Sequence, residues 1–214
     1  VQELAEIFLK HQEKSAENIN LVSPTIYIDK IKEAILLAKE KGLKLKIIYN
    51  TNGYENVESL KKLEGIIDIY LPDLKYSNDE IAKKYSKVEN YFEIATKAIK
   101  EMERQVDVPE FCKNGNIQKG LIVRHLILPN NIENTKNVLK WFKENMKKGI
   151  YISIMTQYFP TYMAKEYEEI NRKITKKEYQ EIEEYIEKIG IEYGYMQDYT
   201  EDDDEQKYVP KWEY

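Results

Sequence analysis

Short apolar runs alternate with amphipathic stretches along this chain. Asn18 to Val22, Leu43 to Tyr49, Ile66 to Leu71, Leu121 to Leu128 and Ile150 to Met155 read as strands, the fourth interrupted only by Arg124 and His125. None keeps a regular polar alternation, so each is expected to be covered on both faces. That is the condition of a parallel sheet with helices between its strands. Helical spacing follows: Leu4, Ile7 and Phe8; Ile28 to Lys41, stopped by Gly42; Val57 to Leu63, capped near Gly65; Ser77 to Tyr85, with Ser77 as N-cap; Tyr91 to Gln105; Ile132 to Met146; and Thr175 to Ile189, with Thr175 and Glu178 placed as a capping box. Val106 to Gly120 holds Pro109, Asn114 and Gly115 and reads as a loop or hairpin. The expected architecture is α/β: one domain over residues 1–199, with a mostly parallel sheet of five or six strands. An acidic, then aromatic, tail fills 200–214.

The bulk figures narrow the function classes. Of 214 residues, 42% are hydrophobic, enough for a core, and 33% are charged. A net charge of -5 gives no general nucleic-acid binder. No apolar run approaches the roughly 20 residues of a membrane helix. The single cysteine, Cys112, suits a reducing cytoplasm better than a disulfide scaffold. Val1 lies inside a helical pattern, and the expectation is a fragment lacking its natural N-terminus.

In βα architectures ligands lie at the C-terminal ends of the strands. Polar residues collect there: Ser23 and Thr25; Asn50, Thr51, Asn52 and Gly53; Asp73 and Lys75; Arg124 and His125; Thr156 and Gln157. Asp73 and Lys75 stand two residues apart and so leave one face of an extended chain. They are either ligand-facing groups or a structural ion pair. Asn52-Gly53 taken alone is an ordinary turn. Arg124 is harder to dismiss, because a buried guanidinium needs acceptors, supplied by Asp73 or by a ligand carboxylate. His125 faces the opposite side and reads equally well as a helix-packed histidine.

These residues, taken in order, resemble the radical S-adenosylmethionine proteins, in a branch similar to pyruvate formate-lyase activating enzymes. The matching pieces are Asn18 to Thr25, Tyr49 to Tyr54, Asp68 to Tyr76, Glu101 to Gln105, Gly120 to Pro129 and Met155 to Pro160. The resemblance implies a partial (βα)6 TIM-like barrel lacking its first strand and cluster loop. In that family three cysteines spaced CxxxCxxC hold a [4Fe–4S] cluster, and S-adenosylmethionine chelates its fourth iron. Reductive cleavage then gives a 5′-deoxyadenosyl radical that abstracts hydrogen from a protein or small-molecule substrate. Cys112 lies in a late connection and does not replace three ligands. The chain by itself is therefore expected to be inactive and to bind neither cluster nor cofactor.

The resemblance also suggests roles. Ser23 and Thr25 stand where the family has a glycine-rich turn near the methionyl amine. Asn50 and Thr51, with the Leu71 backbone and Asp73, are placed like a monovalent-cation site in which Asn50 replaces an acid, and Asn52 continues that turn. Asp73 and Lys75 are the candidate catalytic pair, and Lys75 looks like a contact to cofactor or substrate. Arg124 resembles a ligand of the cofactor carboxylate or ribose, and Gln157 a late-strand polar contact. The implied partners are a glycyl-radical-type protein and a flavodoxin or ferredoxin donor. Two other readings stay open: a non-redox TIM-barrel lyase or aldolase using Lys75 as a Schiff base, and a binding module without a cluster.

Overall fold

The structure is a computed structural model, and it describes residues 1–200. The tail expected from Thr200 onward therefore lies, beyond that residue, outside the described residues. The elements run α1 (Gln2–Glu13), β1 (Asn18–Val22), α2 (Ile28–Glu40), β2 (Lys46–Thr51), α3 (Val57–Lys61), β3 (Ile69–Pro72), α4 (Asp79–Ser86), α5 (Tyr91–Val106), β4 (Glu110–Phe111), β5 (Ile117–Leu126), α6 (Ile132–Asn145), β6 (Tyr151–Met155), α7 (Lys176–Ile189) and β7 (Gly194–Met196).

The sheet has seven strands, six of them in the order β1-β2-β3-β5-β6-β7. Every pairing along that path is parallel. Only β4 runs antiparallel, against the start of β5. The path begins at β1 and ends at β7, so the sheet does not close, and the fold is an open, partial TIM-like barrel.

Strand geometry sends alternate side chains to opposite faces. Ile19, Ile47, Tyr49, Tyr70, Leu121, Val123, Ile152 and Ile154 are buried on the side covered by helices, in one core with Ile35, Ile99, Met102, Leu139 and Ile182. The intervening residues make the inner face: Ile48 and Ile69 are buried, while Asn20, Asn50, Leu71, Ile122, Arg124, Ser153 and Met155 are not. Register links them across the sheet, with Asn20 beside Ile48, Asn50 beside Leu71, and Arg124 beside Ser153.

The structure departs from the sequence reading at several points, each with a physical reason. β2 and β3 begin three residues late, because Leu43, Ile66 and Ile67 are buried as loop anchors ahead of the ladder. The N-cap of α4 is Asn78, whose Oδ1 accepts from Ile81 N at 2.9 Å. Ser77 instead donates its N–H and hydroxyl to Asn134 Oδ1, at 2.7 and 3.0 Å. The segment 106–120 contains a hairpin that turns at Cys112 to Gly115. β7 was not predicted. Its sequence has no apolar run, and Gly194 is there because a Cβ would come 2.4 Å from Ile152 O. The capping box of α7 forms as expected.

His125 is fully buried on the helix side. Its Nδ1 lies 2.6 Å from Leu74 O and its Nε2 2.9 Å from Thr135 Oγ1. A carbonyl only accepts, so Nδ1 carries the hydrogen and Nε2 accepts from the Thr135 hydroxyl. Burial pushes its pKa from 6.5 down to about 4. The unfolded imidazole binds its proton first as pH falls. This contribution to stability is therefore complete above about pH 6.5 and fades toward pH 4. In urea melts, His125→Gln is expected to cost about 2–3 kcal/mol at neutral pH. At pH 5 that gap should narrow by about 1–2 kcal/mol. A gap independent of pH would show that the imidazole titrates alike in both states.

Candidate ligand site at the strand ends

The β3–β5 ladder stops at Tyr70 and β3 ends at Pro72, but beyond it the chain meets β5 once more. Asp73 and Arg124 form a parallel bridge, and Leu74 N donates to Arg124 O at 2.8 Å. Val123 and His125 face the helices, so Arg124 points to the inner face. There Asp73 Oδ1 accepts from Arg124 Nε at 2.9 Å and forms an ion pair with Nη2 at 2.7 Å. Lys75 Nζ lies 3.5 Å from Asp73 Oδ2. The three side chains are 15%, 25% and 42% exposed for Asp73, Arg124 and Lys75. One carboxylate faces two cations, which leaves the cluster a net positive charge suited to an anionic group.

The backbone that presents this cluster is held from several sides. The Tyr91 hydroxyl accepts from Lys75 N at 2.9 Å and sits 3.1 Å from both Asn52 O and Asp73 O. Burial raises the Tyr91 pKa, which keeps the phenol protonated as donor to those carbonyls. Asn134 Nδ2 donates to Lys75 O at 2.9 Å, and Asp73 N to Thr51 O at 2.9 Å. Gly53 packs against the same point: its φ is +81°, and a Cβ there would lie 2.1 Å from Asp73 O. Asn52-Gly53 is thus a turn in close contact with the site. Neither Tyr91 nor Gly53 was marked by sequence as a neighbour of Asp73.

Asn50 is half-buried on the inner face, beside Leu71 in the ladder. The structure does not bring every predicted residue to that cluster. Thr51 is buried on the helix side, where its hydroxyl donates to Glu55. Thr25 also donates to Glu55. Asn52 Oδ1 accepts from Tyr54 N at 2.9 Å, closing its own turn. Ser23 is exposed, with φ 51°. A serine therefore holds the left-handed conformation that glycine adopts freely. Gln157 follows β6 and is half-buried, while its neighbour Thr156 is tied to Gln197 and Asp198.

No protein-family model matches the chain. An uncharacterized protein of Methanocaldococcus jannaschii is 31% identical over 197 residues, 91% of this chain and 53% of that protein. The chain spans about half the length of this curated relative. The crystal structure of a domain of pyruvate-formate lyase-activating enzyme from Bacteroides vulgatus aligns with a TM-score of 0.59, covering 86% of this chain and all of that domain. The shared feature is the fold. At 10% identity the likeness extends no further.

The described residues do not fit an iron–sulfur cluster. Among them no three metal-binding side chains of the His, Cys, Asp or Glu type come together. Cys112 sits in the β4–β5 hairpin turn, ahead of β5, at the end of the sheet away from Asp73.

Two substitutions test the turns. Gly53→Ala should lose at least about 2 kcal/mol in chemical denaturation, from the positive φ and the backbone clash together. Ser23→Gly should gain about 0.5–1 kcal/mol, because it removes only left-handed strain. A neutral Gly53→Ala would mean that the turn does not press on Asp73.

Proposed function

We propose that this chain is the cofactor-holding part of a radical S-adenosylmethionine enzyme similar to pyruvate formate-lyase activating enzymes. The observation that carries this reading is the Asp73–Arg124–Lys75 cluster, at the strand ends and on the inner face of an open parallel barrel. Arg124 turns Nε and Nη2 to Asp73, and among the described residues its Nη1 is left for a carboxylate such as that of the cofactor's methionyl group. Asp73 orients the guanidinium, and Lys75 adds a second cation at the rim. The chemistry such a cofactor supplies when bound is hydrogen abstraction.

In this reading the cluster thiolates belong to a longer protein. Two facts support it. The matched relative is about twice as long as the aligned region, which is 53% of it. Among the described residues β1 pairs only with β2, and Val22, Ile26 and Tyr27 beside that edge are 68%, 80% and 55% exposed. A glycyl-radical protein as substrate and a flavodoxin or ferredoxin as electron donor belong to the same proposal. The aldolase reading is less well supported. Lys75 is 42% exposed beside a carboxylate, unlike the desolvated setting that activates a Schiff-base amine.

The coding sequence ahead of Val1 gives the first test. A CxxxCxxC triad within roughly 30–40 residues, one βα unit, is expected; a start codon directly at Val1 would overturn the reading. In the longer protein, Arg124→Ala should weaken S-adenosylmethionine binding by about 2–3 kcal/mol in titration calorimetry, the range for a lost charge-assisted contact. Unchanged binding with a lowered melting temperature would make Asp73 and Arg124 a structural pair only.

A further inference from the structure

Three uncharged polar side chains are buried together behind the strand-end cluster. His125 and Thr135 are 0% exposed, and Asn134 is 3% exposed. All three serve one short stretch of backbone. Asn134 bridges Lys75 and Ser77: its Nδ2 donates to Lys75 O at 2.9 Å, and its Oδ1 accepts from Ser77 N at 2.7 Å and from the Ser77 hydroxyl at 3.0 Å. His125 Nδ1 donates to Leu74 O, while the Thr135 hydroxyl donates to Nε2 and holds the ring. Along this stretch Leu74 and Tyr76 are buried, whereas Asp73 and Lys75 stay partly exposed.

We propose that Asn134 and His125 are positioning residues for the Asp73–Arg124–Lys75 site. Asn134, in the first turn of α6, and His125, in β5, hold the backbone of residues 74–77 so that the Lys75 amine stays beside Asp73. The proposal rests on reading that cluster as an anion-binding site, whichever anion it takes. A buried carboxamide or imidazole costs free energy unless its polar atoms find partners. An apolar side chain would fill the same space without that cost, so packing alone does not call for these residues. The chemistry of the bridge is also specific. Ser77 N only donates and Lys75 O only accepts, and a carboxamide supplies the matching acceptor and donor on separate atoms of one side chain.

The hold is complete where the site needs it. From Asp73 O to Lys75 O every polar backbone group has a partner: Tyr91 at Asp73 O and Lys75 N, Arg124 O at Leu74 N, His125 at Leu74 O and Asn134 at Lys75 O. The ion pair does not do this work. Lys75 Nζ lies 3.5 Å from Asp73 Oδ2 with its side chain 42% exposed, and pairs so open to water hold a side chain weakly. The place of the amine is therefore set through its backbone, by groups on the far side of the strand from any ligand. Backbone freedom that is spent before a ligand arrives shows as affinity.

The test uses the 214-residue chain with acetate as the probe. Acetate replaces chloride at one fixed ionic strength, and the Lys75 amide signal is followed by nitrogen-15 NMR well below the melting temperature. The expected result is a saturable shift that Arg124→Ala abolishes. Asn134→Ala should raise the acetate dissociation constant about tenfold in the folded chain. Thr135→Ser keeps the hydroxyl that holds His125 and should bind acetate as the unaltered chain does, whereas Thr135→Val should bind it more weakly. Should Asn134→Ala not fold, the two Thr135 variants decide. A lowered melting temperature with an unchanged dissociation constant, in Asn134→Ala or in Thr135→Val, would make these residues structural only and overturn the proposal while leaving the anion site in place. No saturable shift in the unaltered chain would remove the anion site itself, and the proposal with it.

Discussion

A guanidinium in the middle of an apolar parallel strand has to be answered by an anion, and in this fold Asp73 answers it. The two residues belong to strands separated in sequence by two helices and a hairpin, yet they meet as a bridge just past the end of β3. Around this contact the ladder settles residue by residue. Leu74 N binds Arg124 O, His125 on the other face binds Leu74 O, and the next residue, Lys75, turns back to Asp73. An ion pair that is partly withdrawn from water contributes little net stability, since desolvation offsets much of the attraction. Its effect is orientation: with Asp73 fixed to Arg124, the register of β3 on β5 has one solution, and a one-residue slip would turn a charge into the core.

That contact was legible in the sequence because it broke a pattern. Asp73 and Lys75 share a face by spacing alone, and Arg124 stands out in an apolar run. The strand and helix alternation was legible for the same reason: apolar periodicity records which faces are covered. β7 left no such record, since Gly194–Met196 is three residues long, opens on a glycine whose bare backbone meets Ile152 O, and brings only Met196 against the core. Thr25 and Thr51 looked like ligand-facing groups by position. Strand alternation puts Thr51 on the helix side with Tyr49, and both hydroxyls are taken by Glu55, in a loop that no periodicity marks. Tyr91 was likewise only the first residue of a helix until folding carried its hydroxyl to Lys75 N.

The two turns at the strand ends show how differently one backbone demand can be met. After β2 a glycine takes the positive φ, and its missing side chain makes room for Asp73 O. After β1 Ser23 also takes a positive φ, 51°, held by its N–H to Asn50 O at 2.9 Å. A left-handed serine carries strain of about 1–2 kcal/mol. Such strain persists only where neighbours fix the conformation. Here the fixing neighbours are the β1–β2 ladder on one side and the Thr25–Glu55 bond on the other.

The open edge of β1 has a consequence for the chain as an isolated molecule. Natural edge strands discourage further pairing with lysines, prolines or bulges. Asn18-Ile19-Asn20-Leu21-Val22 carries none of these within the strand; Pro24 comes only after it, and exposed Ile26 and Tyr27 follow. Its outer amides and carbonyls, unpaired in the sheet formed by the described residues, make a template for strand addition beside an apolar strip. In concentrated solution, then, such a chain is limited less by the stability of its core than by the stickiness of one margin, and a lysine at position 20 or 22 would act as a guard against self-association.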